Sequence, residues 1–428
     1  MTDYTIYHYL LSNILNISNI NLSIDENTIK VYFNDLSYQE KLVSLSQWFD
    51  NIDNRRIMDE MHRLASEGKK ITLPEKFPYI QLILFFLTEK YLKSPLQKDK
   101  YDRITSKSVD EKFVKYLEIP ITDILINLFL KKLNVNNENK IRIILTSDFD
   151  FINLWDKLGF LRSIKRLINW LLSFQFKLFK QELISYMQDN KKLKYNYILP
   201  LGLFDFDNKN VDARKIAFWL MNFRNQNIDF RNNFNSSSFH QFLDVLNKQH
   251  VELGLHPSFG SSDNKELINQ DIIKFQQVFK QEPKISRYHY LSYNYPEDLT
   301  ILEEFGIKED YSYCFPDSLH FRGGRTFPVK PWSEKLNRPV NVLSYPITIM
   351  DVVFKYYLNQ GFEEAKKSAL EKLKITLNFG SHCVLLFHNN YQYKYYEKNN
   401  YLPELYAEIK KYIADYFNEK DNDYFYKN

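Results

Sequence analysis

Glycine is scarce in this sequence, which has only 10 glycines among 428 residues. An average protein gives roughly 7% of its positions to glycine. No two of these glycines have the G-x-G spacing that a dinucleotide-binding or kinase phosphate loop requires. The common nucleotide-binding classes are therefore excluded. Each remaining glycine is informative about a tight turn or a close backbone approach.

The sequence also has few cysteines, a small net charge and no long apolar run. Cys314 and Cys383 cannot build a disulfide framework or paired zinc knuckles, and we expect two ordinary buried thiols. A formal net charge of +4 is too small to predict a nucleic-acid partner. The most apolar stretch, residues 80–87, is far shorter than the roughly 20 residues that span a bilayer. Since no signal peptide is recognisable either, we predict a cytoplasmic protein without a transmembrane segment.

The pattern of apolar residues changes near position 135. Residues 1–135 carry mixed strand and helix signals, which predict a smaller α+β domain of unknown role. Residues 134–139, NVNNEN, are typical of a linker. From residue 140 to 428, short apolar runs alternate with helical stretches, which predicts a parallel sheet or barrel. In such folds the chemistry lies at the carboxyl ends of the strands.

A helical insert is predicted at about 155–195 within this second region. Between residues 160 and 180, basic side chains border an apolar stripe that contains Trp170, Phe174 and Phe176. This pattern is typical of a helix that lies on a membrane surface. It is equally typical of a helix that caps one end of a barrel, and the cap is the simpler interpretation.

Four apolar runs of the second region end in polar groups suited to chemistry. The groups are an acidic pair, a histidine, an arginine–histidine pair and a histidine, namely Asp148 and Asp150, His256, Arg287 and His289, and His388. Parallel strands place their carboxyl ends on one rim, so these groups converge if the strands are neighbours. Aspartate and histidine are natural zinc ligands. A second aspartate can act as a base and another histidine as an acid, so the set indicates metal-assisted hydrolysis.

These motifs, in this order, resemble those of the NodB-type polysaccharide deacetylases, a family of carbohydrate esterases. The matching segments are residues 146–150 (TSDFD), 252–258 (ELGLHPS), 287–290 (RYHY) and 385–389 (LLFHN). Residues 321–328 (FRGGRTFP) and 346–351 (PITIMD) resemble a bacterial subgroup with an extra N-terminal domain. The resemblance covers residues 142–390 and is weaker over residues 78–133.

The resemblance implies a distorted, seven-stranded (β/α) barrel and a role for each motif residue. Asp148 corresponds to the catalytic base, Arg287 to the arginine that braces it, and His388 to the general acid. Asp150 and His256 correspond to ligands of a divalent metal, for which Zn²⁺ is the expected ion. The implied reaction removes N-acetyl or O-acetyl groups from a cell-surface sugar or oligosaccharide.

One position departs from the family pattern. The second motif usually ends in a further histidine that binds the metal, and here residue 260 is glycine. Ser261, His289 or water could take its place, and we expect His289 because imidazole binds zinc better than a hydroxyl does. The alternative function is a catalytically inactive carbohydrate-binding or scaffold protein of a polysaccharide pathway that lost its metal.

Several further residues are expected to contact the substrate. They are Tyr290, Arg322, Asp351, Ser261 and Asn389. For Asp351 a second role, orienting a histidine, is left open. For both Arg322 and Asp351 a salt bridge at the rim is an equally good interpretation. Gly323 and Gly324 would let the backbone beside Arg322 approach the sugar closely. The tyrosine-rich segment 391–401 is expected to shape one wall of the groove.

Overall fold

A computed structural model describes residues 20–25, 28–33, 36–41, 43–67, 69–71, 73–74, 77–135, 141–150, 152, 164–165, 167–180, 183, 203–206, 211–225, 228–229, 232–392 and 399–425. The central part of the predicted linker and most of the predicted helical insert lie outside these residues. The domain boundary near residue 135 therefore stays a prediction.

The N-terminal region combines a small antiparallel sheet with a helical core. Its strands are β1 (Ile20–Asp25), β2 (Thr28–Phe33) and β3 (Leu36–Lys41), which pair in that order. Its helices are α1 (Leu45–Asp50), α2 (Ile52–Glu67), α3 (Tyr79–Leu87) and α4 (Ile121–Lys132). α3 is apolar on all sides and lies in the middle of a separate buried cluster, where it packs against α4.

A parallel sheet of eight strands forms the centre of the second region. The thirteen strands of the described residues continue with β4 (Arg142–Phe149), β5 (Ala213–Leu220), β6 (Glu252–His256), β7 (Ile285–Ser286), β8 (Glu309–Tyr313), β9 (Trp332–Ser333), β10 (Arg338–Pro339), β11 (Leu343–Pro346), β12 (Ile349–Met350) and β13 (His382–Leu386). The sheet order is β11-β8-β7-β6-β5-β4-β13-β12, and β9 and β10 form a separate antiparallel pair.

This sheet confirms the predicted α/β class. No pairing joins β11 to β12 in the described residues, so the sheet is a half-barrel that is open on one side, which agrees with a barrel-like fold. The predicted count of seven strands is not confirmed. β4 is buried along almost its whole length, because a central strand of a parallel sheet is covered on both faces.

Helices cover the outer face of the sheet. They are α5 (Ser237–Lys248), α6 (Lys265–Phe279), α7 (Asp298–Glu304), α8 (Phe362–Phe379) and α9 (Leu402–Phe425). In α9 the apolar residues Leu402, Leu405, Ile409 and Ile413 recur at helical spacing, and all four are buried in the same core as the sheet. Cys314 and Cys383 are buried free thiols, as expected.

The described part of the predicted insert does not pack its apolar stripe against the barrel. Leu172, Phe174 and Phe176 are 71%, 79% and 58% exposed. The interpretation as a barrel cap is therefore not supported for these residues, and contact with a membrane surface stays a prediction. Within the described residues, none of the helices combines the length and the apolar character that crossing a membrane requires.

Candidate metal centre and acid–base pair

Three side chains from neighbouring strand ends meet at the carboxyl rim of the sheet. Asp150 follows β4, His256 ends β6, and His289 lies three residues beyond β7. One ligand atom from each lies within 4.8 Å of the other two. The Nε2 atoms of His256 and His289 are 3.4 and 3.5 Å from Asp150 Oδ1. The parallel arrangement of β4 to β7 thus brings together residues that are far apart in sequence.

The same three atoms are buried without a hydrogen-bond partner. They are Asp150 Oδ1, His256 Nε2 and His289 Nε2. Buried polar atoms are nearly always paired, so three converging exceptions require an explanation. A carboxylate oxygen and two imidazole nitrogens are the donor set of a zinc site, and a divalent cation would satisfy all three. The donor chemistry therefore fits a metal ion.

Both imidazole rings are held through their other nitrogen. His256 Nδ1 donates to the backbone carbonyl of Arg287 at 2.5 Å, which leaves Nε2 as the ligand atom. His289 Nδ1 lies 3.0 Å from Asp229 Oδ1. Metal-binding histidines characteristically make such contacts, which set the tautomer and aim the ring. The centre is therefore preorganised on the side away from the cavity.

Asp229 is a functional candidate that the sequence analysis missed. Its carboxylate is buried and also accepts backbone N–H groups from Arg224, Asn225 and Phe259. Burial alone would raise the pKa of Asp229, but His289 and the backbone donors lower it overall, so the group is ionised. Asp229 follows β5 by several residues in a loop without an apolar run. The only sequence signal was its position after a strand end, which many acidic residues share.

Asp148 and Arg287 form a buried ion pair beside the three converging atoms. Arg287 Nη1 donates to Asp148 Oδ1 at 2.7 Å, and the remaining guanidinium nitrogens donate to Thr146 Oγ1 and the Tyr311 carbonyl. The guanidinium carbon lies 4.3 Å from the centre of the Phe218 ring. Asp148 Oδ2 points the other way. One carboxylate oxygen is thus fixed by Arg287, and the second faces the site.

His388 approaches the same carboxylate from the opposite side. Its Nε2 is 3.9 Å from Asp148 Oδ2, and its Nδ1 is 2.8 Å from Asp351 Oδ1. Burial disfavours the charged ring, but the carboxylates of Asp351, Asp148 and Asp150 together outweigh burial and raise the pKa of His388 to about 9, with Asp351 contributing most. Asp351 also accepts the backbone N–H of His388 at 2.7 Å. Of the two roles predicted for Asp351, the structure favours orienting a histidine, because its side chain is fully buried.

A cavity of ≈750 Å³ opens onto this set of residues. Asp148, Asp150, His289 and His388 line its base. Tyr290, one of the predicted substrate contacts, lines it as well. Tyr391 forms part of the wall, in agreement with the prediction for the tyrosine-rich tail, although residues 393–398 lie outside the described structure.

Three predicted substrate contacts lie elsewhere. The Arg322 guanidinium is buried against the N-terminal region, where it donates to both carboxylate oxygens of Glu89 at 2.5 and 3.0 Å. Ser261 is buried, and its hydroxyl donates to the Ser258 carbonyl at 2.6 Å. Asn389 is also buried, and its backbone N–H donates to the Asp148 carbonyl. None of the three lines the cavity.

The glycines beside Arg322 do approach a neighbour closely, but that neighbour is protein. Gly323 and Gly324 have φ values of 67° and 58°. A Cβ atom on Gly324 would lie 2.3 Å from Ile121 Cγ2 of α4. A Cβ atom on Gly323 would lie 2.8 Å from Tyr313 Oη. The prediction that these glycines admit a sugar is corrected, because protein atoms occupy the space beside both.

Comparisons with known proteins leave the family open. No protein-family model matches the chain, and none of the curated proteins does. Among solved structures, the chain is similar to one from Mycobacterium smegmatis described as a putative polysaccharide deacetylase, with a TM-score of 0.37 and 11% sequence identity. The alignment covers 66% of this chain and 86% of the other. A likeness this distant defines neither the family nor the function.

Proposed function

We propose that this protein is a metal-dependent hydrolase that removes acetyl groups from an N-acetylated (or O-acetylated) sugar. The observation that carries the proposal is the convergence of three buried, unpaired ligand atoms with a braced carboxylate and a charged histidine. These are the parts that hydrolysis of an amide needs, namely a Lewis acid site, a base for water and an acid for the leaving amine.

Asp150, His256 and His289 would hold the metal ion. The two-nitrogen, one-oxygen donor set suits Zn²⁺, and three protein ligands leave a position open for water or substrate. When bound, such an ion polarises the acetyl carbonyl and lowers the pKa of water. Among the candidates for the third ligand, which the family takes from a histidine at the position of Gly260, we favour His289 because its Nε2 lies close to Asp150 Oδ1. The Ser261 hydroxyl donates to the Ser258 carbonyl instead.

Asp148 is proposed as the general base. Its contact with Arg287 fixes the plane of the carboxylate, while Oδ2 faces the centre 3.6 Å from His256 Nε2. A water molecule bound between Asp148 and the acetyl carbonyl would lose its proton to Oδ2. Because Arg287 is fully buried and has other acceptors, it stays in place when Asp148 becomes protonated.

His388 is proposed as the general acid. A pKa of about 9 keeps the ring protonated at neutral pH, so Nε2 carries a proton for the leaving nitrogen. Asp351 binds Nδ1 and so leaves Nε2 as the atom that faces the cavity. His388 Nε2 lies 3.9 Å from Asp148 Oδ2 and both side chains line the cavity, so the proposed acid and the proposed base reach the same bound group.

The test is acetate release from oligomers of acetylated aminosugars by chelator-treated protein before and after reloading with zinc. We expect acetate release only from the reloaded protein. A protein that binds zinc and sugar but releases no acetate would support the alternative of a non-catalytic carbohydrate-binding protein. That alternative rests on the absence of a histidine at position 260, and the position of His289 beside Asp150 supports the hydrolase instead.

A further inference from the structure

A hairpin of the N-terminal region reaches the cavity above the candidate metal centre. We call residues 97–105 the arm. Lys98 and Ile104 pair across it as an antiparallel bridge. Asp99, Lys100, Tyr101 and Arg103 line the same cavity as Asp148, Asp150 and His388. Both regions of the chain therefore contribute to the cavity. The sequence motifs at the strand ends do not predict the contribution of the arm.

Hydrogen bonds fix the arm to the turn that carries His289. Arg103 is buried, and its Nη1 donates to the Tyr290 carbonyl at 3.0 Å, while Nη2 donates to Asp99 and to the Tyr357 hydroxyl. The Ser292 hydroxyl donates to the Tyr101 carbonyl at 2.9 Å. The Arg103 guanidinium also lies over the Tyr101 ring, 5.0 Å from its centre. The backbone of Tyr101 is therefore held by hydrogen bonds, and its ring is backed by Arg103.

The turn beneath the arm has an unusual backbone. Tyr290 has φ of 60° and Leu291 has φ of 55°, both in the left-handed region that costs energy for residues other than glycine. Such conformations persist where surrounding contacts hold them, and they concentrate at functional sites. Here the backbone brings the Tyr290 ring to 4.7 Å from the Tyr101 ring, with His289 next in sequence.

Several tyrosine rings line the same cavity as Asp148 and His388. Tyr101, Tyr290 and Phe259 form one group, with centroid distances of 4.7, 5.9 and 6.2 Å. Tyr391, which also lines the cavity, packs against His388 with ring centroids 5.9 Å apart. Aromatic rings with a polar tip provide an apolar face together with a hydrogen-bonding group. A pyranose ring has the matching chemistry, with a C–H face and hydroxyls at its edge.

We propose that Tyr101 is a specificity-determining residue that stacks on a pyranose ring of the substrate and holds the acetyl group over the metal centre. This inference rests on the proposed function, whose substrate it narrows to a six-membered sugar ring. The N-terminal region then takes part in substrate recognition through the arm.

The test compares Tyr101→Ala and Tyr101→Phe with the wild-type protein, all loaded with zinc. The probes are β-linked tetramers of N-acetylglucosamine, N-acetylgalactosamine and N-acetylmannosamine, titrated calorimetrically. For the tetramer that binds best, we expect Tyr101→Ala to weaken binding about tenfold, or ~1.4 kcal/mol. Tyr101→Phe keeps the ring and should stay within about twofold. Zinc affinity should be the same in all three proteins, because the Tyr101 ring packs against Tyr290, Phe259 and Arg103 and supplies no ligand atom.

The outcomes separate this inference from the proposed function. Unchanged sugar affinity in Tyr101→Ala would overturn the stacking role, and so would a wild-type protein that binds none of the three tetramers. A wild-type protein that binds a tetramer but releases no acetate would overturn the proposed hydrolase, while the Tyr101→Ala titration would still decide the role of the ring. If turnover is observed, KM should rise about tenfold in Tyr101→Ala and kcat should change little.

Discussion

The buried guanidinium of Arg287 donates to the carboxylate of Asp148 over 2.7 Å, in a place where both side chains are almost completely hidden from water. The pair does two things. It holds one oxygen of the proposed base in a fixed direction, and it balances a positive charge inside the barrel. A change at Asp148 is therefore expected to affect both chemistry and stability.

Replacing Asp148 by Asn should lower zinc-dependent acetate release by about 10²–10⁴-fold, the range expected for loss of a general base. It should also lower the free energy of unfolding by about 3 kcal/mol, because Arg287 loses its buried counter-charge. Acetate assays and urea unfolding of the same preparations measure the two effects. Turnover at the wild-type rate would exclude Asp148 as the base.

His289→Ala should weaken zinc binding at least about 100-fold, because it removes one of three protein ligands. Ser261→Ala is the matched control, since Ser261 was the rival candidate and its hydroxyl faces the Ser258 carbonyl. Competition with a chromophoric chelator measures both affinities. If Ser261→Ala loses zinc and His289→Ala keeps it, the assignment of the third ligand is wrong.

Asp229→Asn should weaken zinc binding by about 10–100-fold without removing any ligand. The amide keeps the shape of the carboxylate but binds the His289 Nδ1 proton less strongly, so the ring is aimed less firmly. Rotation of the imidazole should be visible as a changed NMR shift of its ring protons. An affinity equal to that of the wild-type protein would show that the backbone alone orients His289.

The proposed acid predicts how activity and stability depend on pH. Since His388 must be protonated and its pKa is raised to about 9, kcat/KM should fall as the pH rises through about 9. Asp351→Asn removes the charge that raises this pKa, so the falling limb should move toward the ordinary histidine value of about 6.5. The stabilisation of the fold by the His388–Asp351 pair is complete below about pH 6.5 and is lost through pH 9. An unshifted limb in Asp351→Asn would assign the titration to another group.

Glu89→Ala should lower the free energy of unfolding by about 3 kcal/mol, because it leaves the buried Arg322 guanidinium unpaired. Sugar affinity should stay within about twofold, since Arg322 lies away from the cavity. Glu60→Ala is the control. Its ion pair with Arg63 is exposed, so its removal should leave the unfolding curve unchanged. A large loss of sugar binding in Glu89→Ala would restore the substrate role predicted for Arg322.

The parts of the fold that the sequence predicts are those with a strong local pattern. β4, β6 and β13 contain compact apolar runs, and each run leads into a polar group. β8 was not predicted, because its sequence EDYSY has no aliphatic residue. Its central residue, Tyr311, is nevertheless fully buried and contacts the Phe218 ring and the Arg287 guanidinium. Tertiary contacts, not strand propensity, determine this strand.

The same distinction applies to the candidate site. The groups at the strand ends could be expected to converge, since one rule about parallel strands places them on a single rim. Asp229 and Tyr101 could not be expected there, because each reaches the site from a loop whose path depends on long-range packing. Arg322 was placed at the substrate for a related reason. The Arg322 guanidinium binds Glu89, which is far from Arg322 in the sequence, so the motif around Arg322 could not predict this contact.

The arm and the Glu89–Arg322 pair also limit how this chain could have diverged. Tyr101 and Glu89 belong to the N-terminal region, while their partners Tyr290 and Arg322 belong to the barrel. If either region were replaced by that of a distant homologue, the contacting residues of the two regions would not have coevolved and would not fit one another. We therefore expect the two regions to be inherited as one unit, with compensating substitutions on both sides of residue 135.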